Sequence, residues 1–181
     1  MLMRRDRGDT IVEVMVAFAV FTLVAVGAIV VMNRGVAMTE RSLEITLVRQ
    51  QIDAQAEILR YARDTNSPAW AAIRANLATA SGEECPIRGN AITPPAEAFI
   101  ASVNGGTVGY TRFSTTPGRF LQPTTYSQFT LGATPQSFGL WVMPVRVGTS
   151  NSYDMHIRAC WYAPGETVPT TLGTIVRLYA T

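Results

Sequence analysis

The chain has 181 residues, 48% of them hydrophobic and 15% charged, with 15 arginines, no lysine, 13 acids and a net charge of +2. So nearly neutral a balance excludes bulk phosphate binding as the main function, and the lack of lysine excludes covalent assembly through lysine isopeptide bonds. Two cysteines, one histidine and no CxxC leave no zinc-site pattern.

The chain opens with Arg4, Arg5 and Arg7 against the single acid Asp6, followed by Gly8, Asp9 and, after three uncharged residues, Glu13. From Val14 to Met32, nineteen consecutive residues carry no charge. At about 1.5 Å of rise per helical residue they span roughly 28 Å, enough for the hydrocarbon core of a bilayer. This run reads as a membrane segment. The arginines ahead of it keep the amino terminus cytoplasmic by the positive-inside rule, so the chain beyond Arg34 is expected outside the cytoplasm. Glu13 stands at the front of the span. A charged side chain costs about 2.5 to 3.5 kcal/mol at the centre of a spanning helix, so Glu13 either snorkels to the headgroups or serves a function that supplies it a partner.

The string Arg7-Gly8-Asp9-Thr10-Ile11-Val12-Glu13, with a short basic leader before it and an apolar helix after it, resembles the processing site of type IV prepilins and pseudopilins. The resemblance covers roughly the first thirty residues. It implies that a membrane prepilin peptidase cuts between Gly8 and Asp9, that the new amino terminus on Asp9 is methylated, and that Glu13 meets the amino terminus of a neighbouring subunit in a filament. The physical reason is that an unpaired carboxylate is heavily penalised in a dry helix bundle, whereas an ammonium offsets its desolvation and fixes axial register. Removing a leader of three arginines and one aspartate would leave the mature side chains at zero net charge. Two features differ from the common family pattern. Asp9 stands where most members carry an apolar residue, and the membrane helix has Gly27 and Gly35 but no proline.

Beyond Arg34 the sequence turns polar but keeps helical rhythm, with Val36, Leu43, Leu47, Val48, Ile52, Leu59 and Ala62 at spacings near three, four and seven. One helix from about Thr10 to Asp64 would approach 80 Å. Arg49/Asp53 and Arg60/Asp64 are spaced for solvated ion pairs. The segment Asp64 to Pro68 supplies the stop, with Ser67 suited to cap a second helix and Pro68 to open it. Trp70, Ile73 and Leu77 then share one face, with Trp70 as a core anchor.

From Phe99 the pattern changes to short β-rich runs divided by Gly, Pro, Asn and Ser, as an antiparallel sheet requires. Strands are expected near residues 99–103, 107–113, 140–147, 153–162 and 174–179, with Asn104-Gly105-Gly106 as a tight hairpin. Met155, Ile157, Ala159 and Trp161 alternate with Asp154, His156, Arg158 and Cys160, which gives one apolar face and one polar face. Residues 115–125 and 165–171 read as loops. The expected fold is α+β and pilin-like: a long N-terminal helix, membrane-spanning in its first half, packed by its second half on an antiparallel β-sheet head. The domain plan is a cleaved leader at 1–8, a transmembrane and assembly helix at 9–34, its extramembrane continuation at 35–64 and a head at 65–181.

Cys85 and Cys160 both fall in the extracytoplasmic part, where they form either a disulfide or two buried thiols. A bond closing so long a loop would contribute roughly 4 kcal/mol in the chain-entropy account. No metal site and no cofactor is expected: Glu83-Glu84 lacks the further oxygen ligands that calcium needs, and no phosphate-loop pattern occurs.

The function expected from the resemblance is a structural, noncatalytic subunit of a type IV pilus-like filament. A minor pilin is favoured over a major one, given the modest head and the missing proline; a pseudopilin of a type II secretion or DNA-uptake system is the alternative. Its partners are other pilins, the prepilin peptidase, the assembly machinery and, before assembly, the lipid bilayer. It would be a single-pass membrane protein first and a cell-surface filament subunit afterwards. Contact with DNA would need a local patch from Arg112, Arg119, Arg146, Arg158 or Arg177, which nothing in their spacing supports. Readings of another class are a secreted protein cut near Ala25-Val26-Gly27-Ala28, against which the length of the apolar run argues, or an anchored enzyme obliged to use His156.

Overall fold

The computed structural model describes residues 9–88, 91–131, 134–149 and 151–180. The leader through Gly8 lies outside the described residues. Contacts within the chain divide it into two units, Met1–Leu43 and Glu44–Thr181, and helix α1 (Asp9–Asp64) contributes to both.

In the first unit the large apolar side chains of α1, from Ile11 to Met38, are exposed. The helix is long and apolar enough to cross a membrane. Two of its hydroxyls are satisfied by the helix itself: Thr22 donates to the Ala19 carbonyl at 2.9 Å, as suits a segment without water, and Thr39 to that of Gly35 at 2.8 Å.

In the second unit α1 presents Val48, Ile52, Ala56, Leu59 and Ala62 as a buried stripe. Val36 and Leu43, expected on the same stripe, belong to the first unit and are exposed. The expected Arg60/Asp64 pair does not form: Arg60 turns back to Glu57, and Asp64 takes the adjacent Arg63. The helix ends as the sequence indicates. Asn66 takes a positive φ of 44°, the Ser67 N–H returns to the Ala62 carbonyl, and that of Asn66 returns to Arg63, which satisfies carbonyls of the last turn. Ser67 then caps α2 (Pro68–Ala75), its hydroxyl accepting from the Trp70 N–H at 3.2 Å. Trp70 and Ile73 are buried.

Five antiparallel strands form the main sheet: β3 (Phe99–Asn104), β4 (Thr107–Arg112), β8 (Leu140–Arg146), β9 (Ser152–Trp161) and β10 (Thr170–Tyr179), in the order β10-β9-β8-β3-β4. The fold is therefore α+β with the pilin-like layout read from sequence. Gly105 and Gly106, both at positive φ, turn β3 into β4 between the paired residues Asn104 and Thr107. Inward-facing residues of β9, Met155, Ile157, Ala159 and Trp161, join Val48, Ile52, Leu59 and Ile73 in one hydrophobic core.

Between β3 and β8 the sheet opens. Only Phe99 and Val142 are paired there. The backbone groups left over find other partners, as buried amides must. Gln55 of α1, fully buried, donates to the Ala101 carbonyl at 2.8 Å and accepts from the Ala101 N–H at 3.1 Å, so a side-chain amide stands in for a strand. On the β8 side the Ala78 N–H donates to the Pro144 carbonyl at 2.8 Å.

Two smaller sheets lie in stretches expected to be loops or left unassigned. The hairpin β1 (Ile87–Arg88) with β2 (Ala91–Ile92) is one; the three strands β5 (Phe120–Leu121), β7 (Gln136–Phe138) and β6 (Gln128–Thr130), in that order, are the other. β10 also begins at Thr170, inside a stretch expected to be loop, because Thr170 to Gly173 extend the ladder opposite Trp161 to Arg158. Gly139, where β7 passes into β8, has φ +71°, and a Cβ there would lie 2.3 Å from the Cys160 carbonyl oxygen, so only glycine fits.

Candidate functional site

The candidate assembly site lies at the start of α1. Asp9 is the first helical residue and Glu13 follows one turn later. Glu13 is exposed and sits among Val12, Val16 and Ala17, at the head of a helix stretch that carries no further charge as far as Met32. The helix passes through Gly27 and Gly35 unbroken, and a Cβ at either would meet no atom within 4 Å. Nothing within the described chain therefore requires glycine at those positions.

The second unit carries the remaining chemistry on the outer face of its sheet. Cys85 and Cys160 are joined by a disulfide, with their Cα atoms 5.6 Å apart. It ties the segment that precedes β3 onto that face, and Arg158 adds donations to the carbonyls of Gly82 at 2.9 Å and Glu83 at 2.5 Å. Gly82 itself, at positive φ, packs so closely on Pro95 that a Cβ would come within 2.8 Å. Trp141 and Met143 share the outer face, opposite Arg158 and His156 in register, and both are buried. The polar face read from the alternation of β9 is thus partly covered by this strap.

Beside the strap a groove of about 370 Å³ is bordered by Glu84, His156, Arg158, Thr171, Gly173 and Ile175. Partial burial, reinforced by the Arg158 charge, holds the His156 pKa below the ordinary imidazole value; Asp154 opposes this. His156 is opposite Met143 and Ile175, so no serine or cysteine faces it in register and a serine-histidine-acid arrangement has no support. Asp154 instead takes both nitrogens of the Arg177 fork, at 2.7 and 2.9 Å, and that hydrogen bonding lowers its pKa. As the only histidine, His156 gives a direct check. Its NMR resonance is expected to titrate below about 6.5, and Asp154→Asn should move the midpoint lower still, because a negative neighbour is lost. A midpoint that rose in that variant would contradict the arrangement.

The arginines considered for a DNA patch belong to several different elements. Arg158 serves the strap, Arg177 serves Asp154, and Arg112, Arg119 and Arg146 stand on β4, the 3₁₀ turn Pro117–Arg119 and the end of β8. Among the described residues no cluster of three His, Cys, Asp or Glu side chains could hold a metal.

Residues 3–29 match the family model of the prokaryotic N-terminal methylation motif. The chain carries a type IV prepilin signal. No curated protein and no solved structure matches it. The prepilin signal therefore bears on the first part of α1, and the head has to be read from its own residues.

Sequence reasoning missed three polar residues there. Gln55 bridges to β3, and Glu44, 8% exposed, accepts from the Trp161 indole N–H at 3.1 Å. Arg74 lies over the Trp70 ring at 5.7 Å. A signal for the first existed in the stripe itself, since Gln55 falls at helical spacing between Ile52 and Leu59.

Proposed function

We propose that this chain is a noncatalytic structural subunit of a type IV pilus-like filament, more specifically a minor pilin. In this reading prepilin peptidase cuts between Gly8 and Asp9, the new amino terminus is methylated, and α1 holds the subunit in the membrane with the head outside the cytoplasm. Extraction into a filament then buries the first part of α1 among neighbouring helices, where Glu13 pairs with the amine of an adjoining Asp9. The single observation that carries this reading is the methylation motif at residues 3–29, placed at the head of a helix whose large apolar side chains are exposed among the described residues. Gly27 and Gly35 support it too, because small residues let helices approach closely where no hydrophobic force separates lipid from protein.

Mass spectrometry of sheared surface filaments tests the proposal. The expected result is a peptide that begins at Asp9 with a methylated amine, at low abundance relative to a major subunit. A mature terminus near Ile29, or retention of the arginine leader, would overturn it. Recovery of the processed form only in cell-associated material would favour the pseudopilin of a secretion or DNA-uptake system.

A further inference from the structure

Asn104 is the only asparagine of the chain that is followed by glycine. It ends β3, and Gly105 and Gly106 form a two-residue turn whose φ values of +56° and +79° are the left-handed pair that a type I′ hairpin requires. All three residues are exposed at the hairpin tip. Among the described residues no hydrogen bond holds the Asn104 carboxamide, and the Gly105 N–H has no acceptor. A Cβ at Gly105 would meet no atom within 4 Å, so nothing crowds its amide nitrogen. The other described asparagines are restrained. The N–H of Arg34, after Asn33, belongs to the interior of α1, and that of Ser67, after Asn66, goes to the Ala62 carbonyl at 3.0 Å. Asn76 commits its carboxamide to the Ala72 carbonyl at 2.7 Å, and Asn151 accepts from the Tyr153 hydroxyl at 3.4 Å. Each of these four also precedes a residue with a side chain beside its own nitrogen.

We propose that Asn104-Gly105 is a site of spontaneous covalent modification, at which the carboxamide becomes a carboxylate by way of a cyclic imide. The Gly105 nitrogen attacks Asn104 Cγ, a C–N bond forms, and Nδ2 leaves as ammonia with the proton that the Gly105 nitrogen gives up. Nucleophile and electrophile belong to adjacent residues, so the step is intramolecular and closes a five-membered ring. One water then opens the ring. Cleavage of the new bond at Cγ gives aspartate, whereas cleavage at the main-chain carbonyl gives isoaspartate, whose backbone runs through the side chain and is one carbon longer. Either product is negatively charged at neutral pH. Isoaspartate also lengthens a turn of only two residues, which disrupts the pairing of Asn104 with Thr107 and the hydrogen bond from the Tyr61 hydroxyl of α1 to the Gly106 carbonyl at 3.3 Å. The proposal goes beyond filament assembly and does not depend on it, since the hairpin belongs to the unit Glu44–Thr181.

The full-length protein in non-ionic detergent is aged at neutral and at mildly alkaline pH, then digested and mapped by tandem mass spectrometry. Conversion is expected at Asn104 ahead of Asn33, Asn66, Asn76 and Asn151, as two chromatographically distinct products, isoaspartyl and aspartyl. It should be faster at the higher pH, because the attacking nitrogen must lose its proton. Gly105→Asp keeps a residue suited to the turn but places a side chain beside that nitrogen, and should slow conversion at least about tenfold. The ranking among the parent protein's own asparagines needs no variant, so it carries the test if Gly105→Asp does not fold. Conversion at Asn104 no faster than at Asn66, Asn76 or Asn151, an aspartyl product without isoaspartyl, or an unchanged rate in a folded Gly105→Asp variant would overturn the proposal.

Discussion

Glu13→Ala is expected to leave the cut after Gly8 intact and to remove the subunit from sheared filaments. The peptidase acts on the leader, the glycine and the apolar helix, all of which the variant keeps. Assembly is different, because in the proposed filament the pairing amine would be buried among helices and would lose its counter-charge. Breaking a buried ion pair by deleting one partner costs about 3 to 5 kcal/mol, against which about 1.4 kcal/mol already shifts an equilibrium tenfold. Incorporation should therefore fall by at least about tenfold while the processed, membrane-bound form accumulates. Asp9 adds an informative variable, since its carboxylate belongs to the same residue as the amine. If Asp9 neutralises part of that charge, Asp9→Ala combined with Glu13→Ala will lower incorporation below Glu13→Ala alone. Filaments that contain normal amounts of the Glu13→Ala subunit would remove Glu13 from the assembly role.

The second large effect concerns the strap. Replacing both Cys85 and Cys160 by serine is expected to destabilise the head by roughly 4 kcal/mol, the loop-closure entropy regained by the unfolded chain when 75 residues of separation are no longer closed. Domains of this size have only about 5 to 15 kcal/mol of net stability, so a large share would be lost. Urea unfolding should show a lower midpoint, and trypsin should cut after Arg88 far sooner than in the parent protein, because the strap would be held only by Arg158 and local contacts. An unchanged midpoint would mean that the noncovalent contacts of the strap suffice without the covalent tie.

The sequence made legible whatever rests on a sustained period. The apolar run and the leader identified the start of α1, the spacing of Val48, Ile52, Leu59 and Ala62 carried the helix into the head, and the alternation of β9 assigned its two faces correctly. Elements of two or three residues have no period to display, so β1, β2, β5, β6 and β7 depend on tertiary contacts and were not visible. The opening between β3 and β8 was hidden for a similar reason: register is a relation between strands distant in sequence. The candidate assembly site rests on residue identities, since Gly8, Asp9 and Glu13 belong to one contiguous string, and the structure adds that Asp9 and Glu13 fall in the first turns of α1. The bonds of Gln55 and Glu44 could not be read that way, because their partners Ala101 and Trp161 reach them only through the fold.

Gln55 has a mechanical consequence. Its amide joins α1 to β3 by two opposed hydrogen bonds, and Glu44 joins the same helix to β9 through Trp161, about three turns earlier. A tensile load along this stretch of helix would reach the sheet as shear on both attachments at once, and sliding by a single residue would strand a carboxylate, an indole and a peptide group away from water. The helix is thus keyed to its sheet at two points, and a pull on one moves the other as a single body until both keys fail.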